Sequence, residues 1–210
     1  MKFSVILPVR LEKYRHQGKD PESKLVRAVQ SVLAQDDFEL VIISDGCDMA
    51  VNMIRDNYSD PRIKLFKIPE RKISKNKRNA GAAGLPRNAG IQQASGEYII
   101  YLDHDDVYED GYLETLKKEM TDHDWYWFDN LSWNEKHNRS DVFSADIDRK
   151  GFCGTANICH RRDLGAFWSP NVHYLHDWWF INTLKATSDN YKRLETAGYC
   201  VMHVPHLLDV

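Results

Sequence analysis

Asp103, His104, Asp105 and Asp106 place three carboxylates within four residues, directly after the apolar run Tyr98, Ile99, Ile100, Tyr101 and Leu102. Such a run reads as a short buried strand. Carboxylates crowded at its end repel one another wherever the local dielectric is low, so stability does not explain them. Two roles do. A hard divalent cation, Mn²⁺ or Mg²⁺, takes carboxylate and phosphate oxygens as ligands. Alternatively, one acid caps the helix expected to start near Glu109 or Asp110. Capping uses one carboxylate and leaves two without a purpose, so the metal reading accounts for more of the pattern.

Other residues carry chemistry of their own. Asp177, followed by Trp178, Trp179 and Phe180, opens an aromatic helix. A carboxylate there can act as a general base if an acceptor hydroxyl lies within hydrogen-bond reach, or it can serve as an ordinary N-cap. Between residues 69 and 85 the chain is basic and contains glycine: Arg71, Lys72, Lys75, Lys77, Arg78, Gly81 and Gly84. This is either a solvated loop or a cationic flap suited to a diphosphate. Arg87, at a helix start beside the acidic run, has a better defined position than those lysines. His173 with His176 and His203 with His206 repeat a three-residue spacing, but no cysteine partners stand at zinc-like spacing.

The elements that must position these groups follow a simple order. Residues 3–9 form a first strand, and Pro8 implies that the strand is ending or that its nitrogen faces no partner. Asp20 and Pro21 are a cap and a first helical residue. Leu25, Val26, Val29, Val32 and Leu33 then share one helical face. A strand at 40–43, a polar turn 44–48, a helix from about Ala50 to Tyr58 and a strand at 63–68 follow. A helix opening at Pro86 leads into the strand 98–102. Further on come a helix at 111–120, an aromatic strand at 124–130, a polar loop or small hairpin at 131–150, a short helix at 161–167 and a last strand at 198–203. Alternating apolar strands and helices indicate an α/β fold with a mainly parallel sheet, whose ligands bind beyond the carboxyl ends of the strands. Pro8 and Arg10, Asp45, and the 103–106 cluster all fall at such ends.

Composition narrows the functional classes. With 210 residues and 42% hydrophobic content the chain can build one core and reads as a single domain. A net charge of −3 offers no basic footprint for nucleic acid. No apolar stretch reaches membrane-spanning length, and the four cysteines form no CxxC pair. They read as packed, reduced thiols, so a cytoplasmic location is expected.

The segments 3–9 and 39–48, together with Arg87-Asn88-Ala89-Gly90-Ile91, Ala94-Ser95-Gly96-Glu97-Tyr98-Ile99 and Leu102-Asp103-His104-Asp105-Asp106, resemble a family 2 glycosyltransferase of the GT-A fold, a Rossmann-like, mainly parallel sheet flanked by helices. The resemblance implies a nucleoside-diphosphate sugar donor, with UDP expected, a divalent metal and inversion at the anomeric carbon. It assigns the metal to Asp105, joined by His203, and the donor to Pro8, Arg10, Asp45, Arg87, Asp103 and His104. Gly154 and Thr155 line the acceptor side, Trp178 offers a stacking surface, and Asp177 is the base. The chain departs from the family pattern at His176, where a Glu is usual, at Ser44 before Asp45, and at Arg10.

The same resemblance divides the chain into a nucleotide-sugar half, 1–106, and an acceptor half, 107–210. The acceptor is a glycan, lipid-linked or other hydroxyl, and a second subunit could help to build its site. Two further readings remain. One is a sugar nucleotidyltransferase, although Pro8-Val9-Arg10-Leu11-Glu12 lacks the glycines of a phosphate loop. The other is a nucleotide-sugar or carbohydrate-binding module without turnover.

Overall fold

The computed structural model describes residues 2–11, 20–70, 83–134, 139–170 and 175–202. In chain order its elements begin with β1 (Phe3–Val9), α1 (Pro21–Leu33), β2 (Phe38–Asp45), α2 (Asp48–Asn57), β3 (Ile63–Ile68), α3 (Gly84–Gln93) and β4 (Tyr98–Tyr101). Then come β5 (Val107–Tyr108), α4 (Tyr112–Glu119), β6 (Trp125–Trp127), β7 (Asn130–Asn134), β8 (Arg139–Phe143) and β9 (Ile158–Arg161). The chain continues through α5 (His176–Thr187), β10 (Tyr191–Arg193) and β11 (Tyr199–Val201).

Seven strands form the main sheet in the order β10-β6-β9-β4-β1-β2-β3. All run parallel except β9, which is antiparallel to both β4 and β6. Because helices cover both faces, β1 is buried along its whole length rather than alternating. Phe3, Val5, Leu7 and Val9 pack on one side with Leu25, Val29 and Val32 of α1 and Leu113 and Leu116 of α4. Ile6 packs on the other side with Ile91 of α3, Tyr101, and Phe180, Ile181 and Leu184 of α5. Gly90 is required there, since a Cβ would stand 2.5 Å from Ile6 Cγ2. A smaller sheet, β5-β11-β7-β8, caps the second half of the chain.

The cap expected at Asp20 forms: its Oδ1 accepts from the Ser23 N–H at 3.2 Å, ahead of Pro21. Several boundaries differ from expectation. The helix expected from Pro86 starts at Gly84, because the first helical turn tolerates a residue without an N–H. The small-hairpin alternative for 131–150 is met by the antiparallel pair β7–β8. Only a 3₁₀ turn, Arg162–Leu164, stands where a helix was expected at 161–167, and it stops at Gly165 with φ 69°. Pro8 does not end β1, which pairs with β2 as far as Val9. Its edge toward β4 is different. The Ile6 carbonyl accepts from the Leu102 N–H at 3.0 Å, and β4 has ended by then. Two residues further on, the Pro8 nitrogen therefore faces the gap left by β4 and forfeits no ladder bond.

Candidate active site

That gap is the topological switch point: from β1 the chain steps to β2 on one side and later returns to β4 on the other. In open α/β sheets, ligands bind at the carboxyl ends of strands at such a point. The polar groups gathered there come from both halves of the chain.

Arg87, on the first turn of α3, is the most deeply buried Lys or Arg among the described residues, with 2% of its surface exposed. Its Nη2 donates to Asp103 Oδ1 at 2.7 Å and to Thr155 Oγ1 at 3.4 Å. The guanidinium carbon lies 4.7 Å from the centre of the Trp168 ring. Its Nε and Nη1 are buried with no hydrogen-bond partner among the described residues. Burial by itself opposes the guanidinium charge, but Asp103 and Asp177 outweigh it and raise the pKa. For Asp103 burial again acts first and upward, while Arg87 overrides it and holds the carboxyl below its usual range.

Trp168 is fixed from several sides. Its N–H and carbonyl pair with the Asn88 side chain, each at 2.8 Å. The indole Nε1 donates to the Tyr101 hydroxyl at 3.1 Å, and that hydroxyl meets His160 Nε2 at 2.7 Å. His160 Nδ1 is 2.9 Å from the Arg161 carbonyl, so Nδ1 carries the proton and Nε2 accepts from Tyr101. Burial pulls the His160 pKa down to about 4 and keeps the ring neutral. Phe180 stacks on Trp168 with centroids 4.0 Å apart.

The acidic cluster serves more than one purpose. No member caps α4, whose cap residue is Gly111 with φ 71° and no side-chain bond. Asp106 is buried; it accepts from the Tyr199 hydroxyl at 2.7 Å and from the Met202 N–H at 2.8 Å. Tyr199 also accepts from the Asp103 N–H at 3.1 Å, so one phenol joins two members of the cluster. Burial, then Asp105 and Asp103, push the Asp106 pKa well up. His104 is buried, and its Nε2 has no partner among the described residues. Asp105 is half-buried, and its main-chain carbonyl accepts from Arg27 Nη2 at 3.4 Å. Beside the cluster, Arg10 Nη1 lies 3.9 Å from Asp45 Oδ2. The turn after Asp45 needs Gly46: its φ is 72°, and a Cβ would stand 2.5 Å from Glu70 Cα.

From the second half, Gly154 and Thr155 are held by Asn157. Its Oδ1 accepts from the Gly154 N–H, and its Nδ2 donates to the Phe128 carbonyl and Asn130 Oδ1, all at 2.9 Å. Asp177 comes close to this loop, since a Cβ on Gly154 would stand 3.8 Å from its Cγ. Asp177 is not an N-cap. It is the second residue of α5, and the cap position is Leu175. Neither Trp178 nor Trp179 enters the core: Trp178 is half-buried and Trp179 is 55% exposed, because α5 turns Phe180, Ile181 and Leu184 inward instead.

Pro8, Arg10, Asp45, Arg87, Asp103, His104, Asp105, Gly154, Thr155, Asp177 and Trp178 thus lie within the described residues. His203, His173, His206 and the basic residues 71, 72, 75, 77 and 78 lie outside them. Among the described residues no three His, Cys, Asp or Glu side chains are grouped to hold a metal. A hard cation bound chiefly through phosphate oxygens needs only one or two protein carboxylates, and half-buried Asp105 beside the charge-crowded Asp106 suits that demand. Trp168 and Tyr199 were not anticipated as site residues, and Asn88 and Asp106 stood within motifs without a role of their own. A separate cleft, lined by Phe3, Asp36, Asp37 and Lys117 among others, lies at the opposite, amino-terminal edge of the sheet. It is ringed by exposed charges and has none of this chemistry. The four cysteines are free and buried, and no described helix is long and apolar enough to cross a membrane.

The family model described as glycosyl transferase family 2 matches residues 4–178. Over 122 residues the chain is 34% identical to the poly(ribitol-phosphate) beta-N-acetylglucosaminyltransferase TarS of Staphylococcus aureus, which is 56% of this chain and 18% of TarS. An uncharacterized glycosyltransferase of Rickettsia conorii is 32% identical over 157 residues, 70% of this chain and 23% of that protein. The chain therefore spans only a minor part of these relatives. Among solved structures, S. aureus TarS 1–349 in complex with UDP-GlcNAc superposes with a TM-score of 0.69 at 18% identity, covering 96% of this chain and 58% of that one. A mannosyltransferase from Pyrobaculum calidifontis in complex with GDP-Man and Mn²⁺ gives 0.62 at 13% identity, covering 97% and 57%. At such identities the likeness establishes the fold.

Proposed function

The chain belongs to glycosyl transferase family 2, and from that premise we propose that it moves a sugar from a nucleoside-diphosphate donor to an acceptor hydroxyl with inversion at the anomeric carbon. UDP-N-acetylglucosamine is the first donor to try, because a TarS structure with the same fold holds that molecule. The observation that carries the reading is Arg87: a buried guanidinium at the switch point whose Nε and Nη1 find no acceptor among the described residues, between Asp103 and the loop that bears Thr155. Diphosphate oxygens are the natural acceptors for such groups.

Residues 1–106 supply the donor side in this proposal and residues 107–210 the acceptor side. Asp45 and Arg10 take the nucleoside end beside Pro8, and Arg87, Asp103 and His104 face the diphosphate. Asp105 would hold Mn²⁺ or Mg²⁺ together with donor phosphate oxygens, and the ion would offset the negative charge that builds on the leaving diphosphate. Asp177 removes the proton of the acceptor hydroxyl. That oxygen bonds to the anomeric carbon from the face opposite the diphosphate, which departs with the electron pair of the broken bond. Trp178 and Gly154 border the acceptor, a glycan, lipid-linked or other hydroxyl compound. The family match favours this transfer over nucleotidyl transfer.

A thermal-shift panel tests the donor assignment with UDP-, GDP- and dTDP-sugars, each with and without Mn²⁺. Stabilisation of about 2.7 kcal/mol is expected at a hundredfold excess over Kd, confined to UDP-sugars and larger with Mn²⁺. If no nucleotide sugar raises Tm, the proposal fails.

A further inference from the structure

Among the described residues, Arg87 is anchored by hydrogen bonds at one atom only. Its Nη2 reaches Asp103 Oδ1 at 2.7 Å and Thr155 Oγ1 at 3.4 Å, while Nε and Nη1 find no acceptor among the described residues. A planar fork held by a single corner can still swing about that corner, which leaves the direction of its other N–H groups open. The ring of Trp168 removes that freedom. The guanidinium carbon lies over it, 4.7 Å from its centre, and both residues are buried.

For the indole to do this, its own plane must not turn. The Asn88 amide takes both the N–H and the carbonyl of Trp168 at 2.8 Å, and Asn88 follows Arg87 directly on α3. Gly84, three residues before Arg87, lets the helix come close, since a Cβ there would stand 3.3 Å from Trp168 Cβ. Phe180 lies nearly flat on the ring, with centroids 4.0 Å apart and 10° between the planes. The indole edge is fixed by a directed chain. Nε1 donates to the Tyr101 hydroxyl at 3.1 Å, that hydroxyl donates to His160 Nε2 at 2.7 Å, and His160 Nδ1 donates to the Arg161 carbonyl at 2.9 Å. Each proton in the chain has one place. Tyr101 and His160 are fully buried, and the proposed transfer calls on neither of them nor on Asn88.

We infer that Trp168 is a positioning residue: locked by Asn88 and by the Tyr101–His160 chain, its ring sets the plane of the Arg87 guanidinium, so that Nε and Nη1 meet the donor diphosphate together. This rests on the reading of Arg87 as the diphosphate contact.

NMR titrations with UDP and with uridine, both with Mg²⁺ present, separate positioning from packing. In Trp168→Leu the arginine and its charge remain but its plane is released. The Kd for UDP is expected to rise about 10- to 30-fold, while that for uridine stays within about twofold. Arg87→Lys keeps the charge without the fork. Adding Trp168→Leu to it should weaken UDP binding by less than about threefold more, because the ring acts through a guanidinium that is no longer there. Trp168→Phe keeps an aromatic face and gives up the indole N–H. A rise of about three- to tenfold in the UDP Kd is expected, and this variant decides the matter if Trp168→Leu does not fold. Equal losses for UDP and uridine, or losses from Trp168→Leu and Arg87→Lys that simply add, would make the ring ordinary packing and overturn the inference. Wild-type UDP affinity in Trp168→Phe would overturn it too. If Arg87→Lys by itself bound UDP as the wild type does, the diphosphate reading of Arg87 would fall, a failure distinct from these.

Discussion

The central sheet has a polar cluster at each end, built from similar residues and finished in opposite ways. At the amino-terminal end, Glu39 of β2 is buried, and both of its oxygens are engaged. Ser4 Oγ and Ser95 Oγ each donate to it at 2.6 Å, the N–H groups of Ser95 and Gly96 reach Oε1, and Lys64 Nζ lies 2.7 Å from Oε2. Burial alone would raise its pKa, but Lys64 and the serine donors hold it down to about 2. At the carboxyl-terminal end, Arg87 Nε and Nη1 and His104 Nε2 have no hydrogen-bond partner among the described residues, and Asp106 is forced toward its neutral form. A closed cluster needs nothing further and ties β1, β2 and the turn before β4 together. An open one is left short of partners that a ligand can supply, and buried groups in that condition are costly unless something is gained by keeping them.

Substitutions at the two ends should therefore separate activity from stability. The largest effects belong to the open end. Asp177→Asn and Asp105→Asn are each expected to lower transfer by about 10³-fold or more, with Tm little changed. Only Asp105→Asn should also lose the Mn²⁺-dependent part of donor stabilisation in calorimetry. At the closed end Glu39→Gln is expected to cost roughly 3 kcal/mol, the free energy that matches a carboxyl pKa moved from 4.5 to about 2. Because the folded pKa is depressed, that stability is fully present above the unfolded value of 4.5 and is lost as pH falls toward 2. The variant should lack this part of the acid melting profile while turnover per folded molecule stays unchanged. Tyr199→Phe is intermediate, since it strips the hydroxyl shared by Asp106 and the Asp103 N–H. A loss of about 1–3 kcal/mol in chemical denaturation is expected, accompanied by weaker donor binding. Ser95→Ala removes one of several donors to Glu39 and should cost only about 1 kcal/mol, with no kinetic effect. A Ser95→Ala variant that lost activity would blur the distinction between the two ends.

What could be read from the sequence was local. The cap at Asp20, the apolar face of α1, the fully buried β1 and the acids after β4 all follow from spacing over a few residues. The crowding of Asp103, Asp105 and Asp106 marked the site, and the order of motifs identified the family. What could not be read depends on contacts between distant segments. Asp106 meets Tyr199 across 93 positions, and Asn88 meets Trp168 across 80, with no local signature at either partner. β9 inserts against the direction of its neighbours because the chain returns from the smaller sheet, and no periodicity in Ile158–Arg161 announces that. His176 stood out in the sequence as a departure from a pattern. The structure adds only that its Nδ1 stands 3.0 Å from Asp177 Oδ1.

Trp168 carries an implication for mechanics. Arg87 lies over its ring, Phe180 from the helix that bears Asp177 stacks against it, and Asn88 grips its backbone. A single indole is thus the spacer between Arg87 and the helix that carries Asp177. On the proposed mechanism these are the phosphate-facing and proton-accepting sides, so a smaller residue at this position is expected to detune both ends of the reaction at once.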